Sequence, residues 1–409
     1  MPTLKKRKIL NKFLQSQKTE SKPKFDWPLI LVVAILTILG LAFLASSLAT
    51  KDSQVFISQF IHQFIFGVWI GIVVAFIFAR LDYHQLFKYK NILLIVTFGS
   101  LIYIALPIIV AQVLPQNRYQ LIDQMERFLP IYPYYANNAV RWLTFMGRIN
   151  FQPTELAKIT LGIIFAERLQ KTYTSSQSIT AKTLVQPFCF FLAFAVLVII
   201  QPDLGSIILA ALIILTVMFI GKVPLRILVS VTLAITLVGV LAAFSVEYRR
   251  ERILATQCQQ NSQESWCYQI TQVKKAVGDG GLWGKGYANG EVKFDKRIPE
   301  ISNDAIIAVI GEEMGFVFIV IFLGLYLVIL LRGMQIANKA PDIGGKSLAT
   351  AFSVWITAQA FLNVSGMTGL TPSKGLTLPF VSEGGTSMVI VFIAIGILLN
   401  ISSQSTENQ

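Results

Sequence analysis

The chain has 409 residues, of which 54% are hydrophobic and only 14% are charged, and its mean hydropathy is +0.62. Soluble domains carry roughly 25% charged residues, so this composition excludes an ordinary soluble protein and predicts a polytopic membrane protein. The net charge of +13 would suit nucleic acid, but in so apolar a chain it indicates topology-setting basic loops and anionic lipid or lipid-phosphate partners.

A basic tail of about residues 1–27 precedes the first apolar segment. It carries eight lysines and arginines and has no small-residue cleavage site after the apolar run that follows, so we interpret it as a cytoplasmic anchor rather than a signal peptide. Ten apolar segments then approach or exceed the roughly 20 residues that cross a bilayer. The predicted spans are about 28–49, 58–79, 91–113, 153–168, 184–201, 203–221, 226–246, 302–331, 347–369 and 378–401.

Basic residues in the short loops predict the orientation of these spans. With the amino terminus inside, the inner segments hold 19 lysines and arginines and the short outer segments hold six, so both termini are predicted to be cytoplasmic. Residues 403–409 then form a second cytoplasmic tail. Three polar segments fall on the outer side, 114–152, 247–301 and 370–377, and the second is a large extracytoplasmic loop between helices 7 and 8. The sequence therefore predicts an all-α polytopic membrane domain over residues 28–402.

Two cysteines lie in this large loop. Cys258 and Cys267 are nine residues apart and would form a disulfide in an oxidising compartment. The alternative is two unrelated thiols, and both interpretations stay open.

Several common site motifs are missing from the sequence. Gly284-Lys285 lacks the upstream glycine and the following Ser or Thr of a phosphate-binding P-loop, and Gly278-x-Gly280 does not follow a strand as a dinucleotide fingerprint requires. The two histidines, His62 and His84, are not clustered with cysteines, which argues against a His/Cys metal site.

Carboxylates at the predicted outer membrane boundary are the stronger candidates. Asp304 begins the eighth predicted span, where a partly desolvated carboxylate suits general-base chemistry, and Glu312 and Glu313 lie two to three turns deeper. The alternative for Asp304 is a helix-start residue stabilised by the helix dipole, with structural ion pairs for the two glutamates.

Further polar residues lie at the same predicted boundary. Glu155 and Lys158 share a helix face, where a purely structural pair is the alternative to a functional one. Asp203, after Gln201, has helix capping as its alternative, and Arg141 with the neighbouring tryptophan suits an interfacial anchor.

The large loop also carries a basic cluster. Arg249, Arg250 and Arg252 suit diphosphate binding through charge-assisted hydrogen bonds, and a solvated charge run is the alternative.

Taken together, these motifs resemble the SEDS family (shape, elongation, division and sporulation), whose members FtsW and RodA are peptidoglycan glycosyltransferases. The resemblance spans about residues 28–402, and its closing motif Lys374-Gly-Leu-Thr-Leu-Pro379 is more similar to FtsW than to RodA. The matching stretches are Arg141-Trp142, Phe151–Lys158, Gln201–Gly205, Gly280–Gly286, Asp304 with Ile310–Gly315, and Pro372–Ser382 with Gly384-Gly385.

The resemblance implies an inverting lipid II polymerase at the outer face of the bacterial cytoplasmic membrane, for septal or lateral cell-wall synthesis. It implies Asp304 as the catalytic base and the Glu155–Lys158 pair as important for activity. It further implies a divalent cation, Mg²⁺ or Mn²⁺, with no legible ligands, a class B penicillin-binding transpeptidase as partner, and assembly with divisome or elongasome proteins. The substrate-binding candidates are Arg141, Gln201, Asp203, Lys285, Lys374 and Ser382.

The sequence departs from the family pattern at a few positions. Ser302-Asn303-Asp304-Ala305 stands where Thr-Asp-Phe is usual, Glu383 stands in place of Tyr, and Asn138 in place of Gly. Two other functions fit ten spans and intramembrane charges: a lipid II flippase or transporter, and a non-catalytic divisome scaffold. Polar residues concentrated at the outer face favour the polymerase.

Overall fold

The protein is described by a computed structural model that covers residues 25–113, 122, 125–136, 139–147, 149–244, 265–295, 298, 301–372 and 375–405. Helices dominate these residues. They are α1 (Trp27–Leu48), α2 (Ser53–His62), a π-helical segment (Gln63–Trp69), α3 (Ile70–Arg80), α4 (His84–Lys88), α5 (Lys90–Val113), α6 (Pro153–Thr174), α7 (Ala181–Ile200), α8 (Leu204–Ile220), α9 (Leu225–Phe244), α10 (Ser265–Gly280), α11 (Ile306–Lys339), α12 (Ile343–Met367) and α13 (Gly385–Ser403).

Every one of the ten predicted spans coincides with a helix or a run of joined helices. Among the described residues, seven of these are long and apolar enough to cross a membrane: α1, the α2–α3 run, α5, α7, α11, α12 and α13. Helices α8 and α9 are apolar but shorter, and α6 carries several charges. The helical membrane fold is thus confirmed, whereas the number of spans and their orientation stay predictions.

The boundaries of two predicted spans differ at the predicted outer end. Helix α11 begins at Ile306, so Asp304 lies in the turn before the helix rather than at its first residues. Helix α13 begins at Gly385, because residues 378–384 belong to a loop that precedes it. Both shifts move polar backbone out of the helices and into loops that cover the bundle end.

The polar segments contain structure that the sequence analysis did not predict. Strands β1 (Ile131–Ala136), β2 (Ala139–Phe145) and β3 (Ile149–Phe151) form an antiparallel sheet in the order β1-β2-β3. The aromatic and β-branched residues of this stretch were the available signal. Helix α10 lies within the large loop, and the spacing of three between the buried Cys267, Ile270 and Val273 was its helical signal.

Helix α12 lies at the centre of the bundle. It is the most buried of the candidate spans, and it packs against α6, α8, α11 and α13. Trp355, near its middle, is completely buried. A helix covered on all sides can carry polar side chains only where neighbouring elements supply their partners.

At the end of α11 opposite Asp304, His84 joins two turns of the chain. Its Nδ1 lies 2.7 Å from Asp82 and its Nε2 lies 2.6 Å from Asp342, which precedes α12. Tyr83 donates a further hydrogen bond of 2.7 Å to Asp342. Burial lowers the pKa of His84, but the hydrogen bonds and charges of the two carboxylates raise it by more, so that its net pKa lies above 6.5.

The raised pKa of His84 predicts a pH-dependent contribution to stability. Because the folded state binds this proton more tightly than the unfolded state, the stabilisation is present below the unfolded pKa and is lost as pH rises through the folded pKa. We expect His84→Gln to lower the unfolding temperature more at about pH 5.5 than at about pH 8.5. Thermal unfolding in detergent measures this difference, with His62→Gln as the matched histidine control. A His84→Gln effect that grows with rising pH would contradict the assignment.

Candidate active site at the start of helix α11

The turn at residues 301–305, which carries Asp304, is held from two sides. The buried Asn363 of α12 donates from its Nδ2 to the backbone oxygens of Asp304 (3.0 Å) and Leu376 (2.6 Å). Ser382 donates to the backbone oxygen of Asn303 at 2.6 Å and accepts a hydrogen bond from the backbone N–H of its own loop. The turn and the 375–384 loop are therefore fixed against each other.

The Asp304 side chain lies at the edge of this assembly. It is half-buried, and its Oδ2 lies only 3.2 Å from the point where a Cβ on Gly375 would stand. Gly375 is exposed and has a φ of +60°, a conformation that favours glycine. A side chain at position 375 would crowd the carboxylate, so glycine keeps the approach to Asp304 open.

Glu383, where the sequence departs from the family pattern, contacts the turn that carries Asp304 directly. Ser302 donates from its Oγ to Glu383 at 2.7 Å, and the backbone N–H of Glu383 donates to the Ser302 oxygen at 2.9 Å. This hydrogen-bonded pair joins the turn to the 375–384 loop.

A π-helical segment places a further side chain on the same loop. Gln63, the first residue of that segment, is 1% exposed, and its Oε1 accepts a hydrogen bond of 3.0 Å from the Gly384 N–H. Its Nε2 donates to the Ser382 oxygen at 3.4 Å. Since π-helical turns occur mostly as single insertions at functional sites, this distortion is consistent with a role in holding the loop.

The predicted pair Glu155–Lys158 belongs to a closed network of polar contacts, which we call the Lys158 network: Glu155, Lys158, Gln359, Thr377 and Ser387. Lys158 is completely buried and donates to Glu155 at 2.9 Å and to Gln359 at 3.1 Å. Gln359 donates to the Thr377 oxygen at 2.9 Å, the hydroxyls of Thr377 and Ser387 lie 3.0 Å apart, and Ser387 donates to Glu155 at 3.3 Å. The network links α6, α12, α13 and the 375–384 loop.

A second buried network lies where α11 is broken. Gly315 has non-helical dihedral angles (φ 79°, ψ 179°), and the 281–295 loop fills the break: Phe316 N–H donates to the Gly281 oxygen, and Gly286 N–H donates to the Glu313 oxygen, both at 2.9 Å. A Cβ on Gly284 would lie 2.2 Å from the Glu313 oxygen. The glycines of Gly280–Gly286 therefore permit a close approach of two backbones.

Both glutamates at this break are paired with lysines of the 281–295 loop. Glu312 accepts from Lys285 at 2.8 Å, and Glu313 accepts from Lys293 at 2.9 Å and from Ser46 of α1 at 2.6 Å. Lys293 and Glu313 are at most 2% exposed at their side chains. Structural ion pairs, the alternative that the sequence analysis left open for the two glutamates, are what the structure contains.

The other predicted site residues serve structural contacts in the described part of the chain. Arg141 of β2 donates to the backbone oxygens of Gln201 (3.1 Å) and Pro202 (2.8 Å), which fastens the sheet to the α7–α8 turn. Asp203 caps α8 by accepting from Ser206 N–H at 3.1 Å. Lys285 is committed to Glu312. Contact between these residues and substrate stays a prediction.

Some predictions fall on residues that the structure does not describe. Lys374, Cys258, Asn138 and the basic cluster Arg249, Arg250 and Arg252 lie outside the described residues. Cys267 is buried in α10, and its pairing with Cys258 stays a prediction.

The amides and the lysine that complete these networks are not among the site residues predicted from the sequence. Gln359 and Asn363 lie four residues apart on α12 and so share a helix face, and each is a polar side chain within an apolar span, which was an available signal. Gln63 carried the same signal in its predicted span, whereas Lys293 had no local pattern that distinguished it from other basic loop residues.

The described residues do not contain a complete metal site. No group of three or more His, Cys, Asp or Glu side chains among them is arranged to hold a metal ion. Mg²⁺ is often held by one or two carboxylates together with substrate phosphates, and Asp304 and Glu383 are carboxylates on the turn and the loop described above. The divalent cation therefore stays a prediction, and no chemical step is derived through it.

Comparisons with known proteins identify relatives over most of the chain. The model of the FtsW, RodA and SpoVE family, described as cell cycle proteins, matches residues 127–407. The probable peptidoglycan glycosyltransferase FtsW of Geobacter metallireducens is 31% identical over 386 residues, covering 93% of this chain and 95% of that protein. The probable FtsW of Trichlorobacter lovleyi is 32% identical over 388 residues, covering 93% of both.

Solved structures share the fold. The rod shape determining protein RodA of Thermus thermophilus aligns with a TM-score of 0.63 and 23% identity, covering 93% of this chain and 98% of that one. A chain of a peptidoglycan synthase complex, described as coordinating polymerization and crosslinking, aligns with a TM-score of 0.69 and 24% identity, covering 92% and 97%. At this identity the likeness supports the fold alone.

We expect loss of one partner in the Lys158 network to destabilise the protein strongly. Lys158→Met leaves the carboxylate of Glu155 buried without its cation, which costs about 3–5 kcal/mol, whereas Glu155→Gln with Lys158→Met together recovers part of that loss. Unfolding in mixed micelles measures both. The exposed Lys88→Met is the control and should change stability by less than about 0.5 kcal/mol. Equal effects of Lys158→Met and Lys88→Met would be inconsistent with this network.

Two glycine substitutions test the fit between the 281–295 loop and the break in α11. Gly284→Ala places a Cβ on backbone atoms at a φ of +80°, so we expect it to lower stability by more than the roughly 1–2 kcal/mol of left-handed strain alone. Gly278→Ala in α10 meets nothing within 4 Å and should be neutral or stabilising. Thermal unfolding of the two variants side by side measures the contrast, and a stable Gly284→Ala protein would refute the close approach.

Proposed function

The chain belongs to the family of FtsW, RodA and SpoVE cell cycle proteins, and we propose that it is a peptidoglycan glycosyltransferase that polymerises lipid II into glycan strands. It is a multi-pass membrane protein with several helices able to span the bilayer. The relatives from Geobacter metallireducens and Trichlorobacter lovleyi, which this chain matches over nearly their whole length, are named probable peptidoglycan glycosyltransferases. These names support an enzyme of this type.

The observation that carries the proposal is the setting of Asp304. Its carboxylate is half-buried beside an exposed glycine, while its backbone is fixed by Asn363 and the adjoining turn by Ser382. A general base works best when its position is fixed before substrate binds, because misplacement by about 1 Å reduces the rate severely. The hydrogen bonds that fix the backbone of Asp304 and the adjoining turn support such a position for its carboxylate.

In the proposed reaction, Asp304 accepts the proton of the acceptor GlcNAc 4-hydroxyl. That oxygen forms a bond to the anomeric carbon of the donor MurNAc as the bond to undecaprenyl diphosphate breaks, and the electron pair leaves with the diphosphate. The single displacement inverts the anomeric configuration, as in the base half of inverting glycosyl chemistry. Because diphosphate is a good leaving group, the reaction needs no strong general acid.

The Lys158 network contributes to this reaction by positioning the loop beside Asp304. It holds Thr377 and Ser387, on either side of the segment that carries Ser382, to the buried core of α6 and α12. Glu155 and Lys158 are thus proposed as positioning residues for the loop beside Asp304. The ammonium group of Lys158 is committed to Glu155 and Gln359, so it is not assigned a contact with the diphosphate.

The cellular setting is proposed from the sequence and the relatives. The active site faces the outside of the bacterial cytoplasmic membrane, where the polar loops are predicted to lie. The partner is a class B penicillin-binding transpeptidase within divisome or elongasome assemblies. The FtsW names of the similar proteins and the closing Lys374–Pro379 motif favour septal synthesis over lateral synthesis.

We expect Asp304→Ala and Asp304→Asn to abolish glycan-strand synthesis while the fold stays intact. The measurement is polymer formation from purified lipid II by the full chain with its cognate transpeptidase, with and without Mn²⁺. Loss of general-base catalysis alone costs about 10²–10⁴-fold, so polymer should fall below detection in both variants. Asp52→Asn, an exposed carboxylate before α2 that makes no side-chain capping bond, is the matched control.

Other outcomes separate the remaining functions. Equal polymer from wild type and both Asp304 variants would remove this carboxylate from the mechanism. A well-folded wild-type complex that makes no polymer would favour a lipid II transporter or a scaffold, and a lipid II translocation assay in vesicles then separates these two.

A further inference from the structure

A narrow cleft lies between α5, α6 and α7, away from the site at Asp304. It is lined by Lys90 at the start of α5 and by Glu167 and Arg168 on the last turns of α6. Nearby, Gln170 accepts a hydrogen bond from the Gly344 N–H, which places this region at the His84 end of the bundle. The basic-loop count predicts that this end faces the cytoplasm.

The charges around the cleft do not balance. Glu167 has a 4% exposed side chain, and it accepts from Lys90 at 2.7 Å and from Lys171 at 2.6 Å. Arg168 also lines the cleft, so three cationic side chains and one carboxylate lie at or beside it. The cleft therefore keeps an excess of positive charge at the level where the helices meet the predicted membrane surface.

A proline explains why the Arg168 guanidinium stays at the cleft. Pro187 within α7 has no N–H, so the carbonyl of Thr183, four residues earlier, loses its helical donor. Arg168 donates to that carbonyl from its Nε at 2.8 Å. The contact orients the guanidinium, and its two Nη groups have no hydrogen-bond partner among the described residues.

The deeper part of the cleft is apolar. Leu94 lies one turn beyond Lys90 on α5, and Phe190 lies about one turn beyond Pro187 on α7. Phe190 packs against Phe98 with ring centroids 6.0 Å apart, which closes the inner end. A basic rim followed by an apolar wall matches a phospholipid, whose phosphate lies at the interface and whose chains lie deeper.

We propose that this cleft binds an anionic phospholipid of the cytoplasmic leaflet, with its phosphate against Lys90 and Arg168 and one acyl chain against Leu94 and Phe190. A zwitterionic lipid would bring its own cation into a cluster that is already positive, so the charge favours an anionic headgroup. Inorganic phosphate would leave the apolar wall uncovered. The site does not depend on the proposed polymerase activity.

The test measures lipid binding by the purified full chain in detergent. Tetraoleoyl diphosphatidylglycerol and dioleoyl phosphatidylcholine are titrated separately, with native mass spectrometry for retained lipid and thermal unfolding for stabilisation. We expect the anionic lipid to be retained preferentially and to raise the unfolding temperature. Lys90→Gln should weaken its binding about fivefold, since one basic residue near an anionic surface contributes about 1 kcal/mol.

Two matched variants make the test specific to the cleft. Gln186→Trp fills its exposed rim without changing charge and should also weaken retention. Lys222→Gln removes an exposed cation at the α8–α9 turn and should leave retention unchanged. Inorganic phosphate is titrated in the same unfolding assay. Equal retention of the two lipids, an equal loss from Lys222→Gln and Lys90→Gln, or stabilisation by inorganic phosphate equal to that by the anionic lipid would each overturn the proposal. So would unchanged retention in a folded Gln186→Trp protein.

Discussion

The buried ammonium group of Lys158 constrains the whole candidate site. A charge with no exposure to water is tolerated only when it is paired and hydrogen-bonded, and here the partners come from α6 itself and from Gln359 on α12. Gln359 in turn donates a hydrogen bond to the 375–384 loop, and Ser387 of α13 donates one to Glu155. The four elements that frame the site must therefore assemble together, because a missing partner would leave a buried charge unsatisfied.

The polar groups at the break in α11 also have their partners in a distant part of the chain. Broken helices expose backbone N–H and C=O groups that lipid cannot satisfy, so protein must supply the partners. The 281–295 loop does so with backbone hydrogen bonds, and its lysines neutralise Glu312 and Glu313. The glycine-rich motif and the paired glutamates are thus two halves of one packing arrangement beside α1.

The turn at Asp304 lies within the same folded end as these two arrangements. The Lys158 network and Gln63 hold the 375–384 loop, and that loop, with Asn363, holds the turn. The pairing of Ser302 with Glu383 adds a side-chain hydrogen bond between the turn and that loop. A half-buried carboxylate on a rigid frame suits the proton transfer that we propose for Asp304.

The sequence by itself determined the membrane class and the places of the helical segments, and it pointed to Asp304, in the turn before α11, as a catalytic residue, which stays a prediction. Hydrophobic length and family motifs are local properties, so they can be recognised from neighbouring residues alone. The tertiary structure decided that Glu312 and Glu313 are neutralised by lysines of a distant loop, that Arg141 serves backbone carbonyls, and that Gln63, Gln359 and Asn363 hold the turn and the 375–384 loop. The partner of a buried polar group depends on which segments pack together, and residues as far apart as Gln63 and Gly384 meet only in the folded chain.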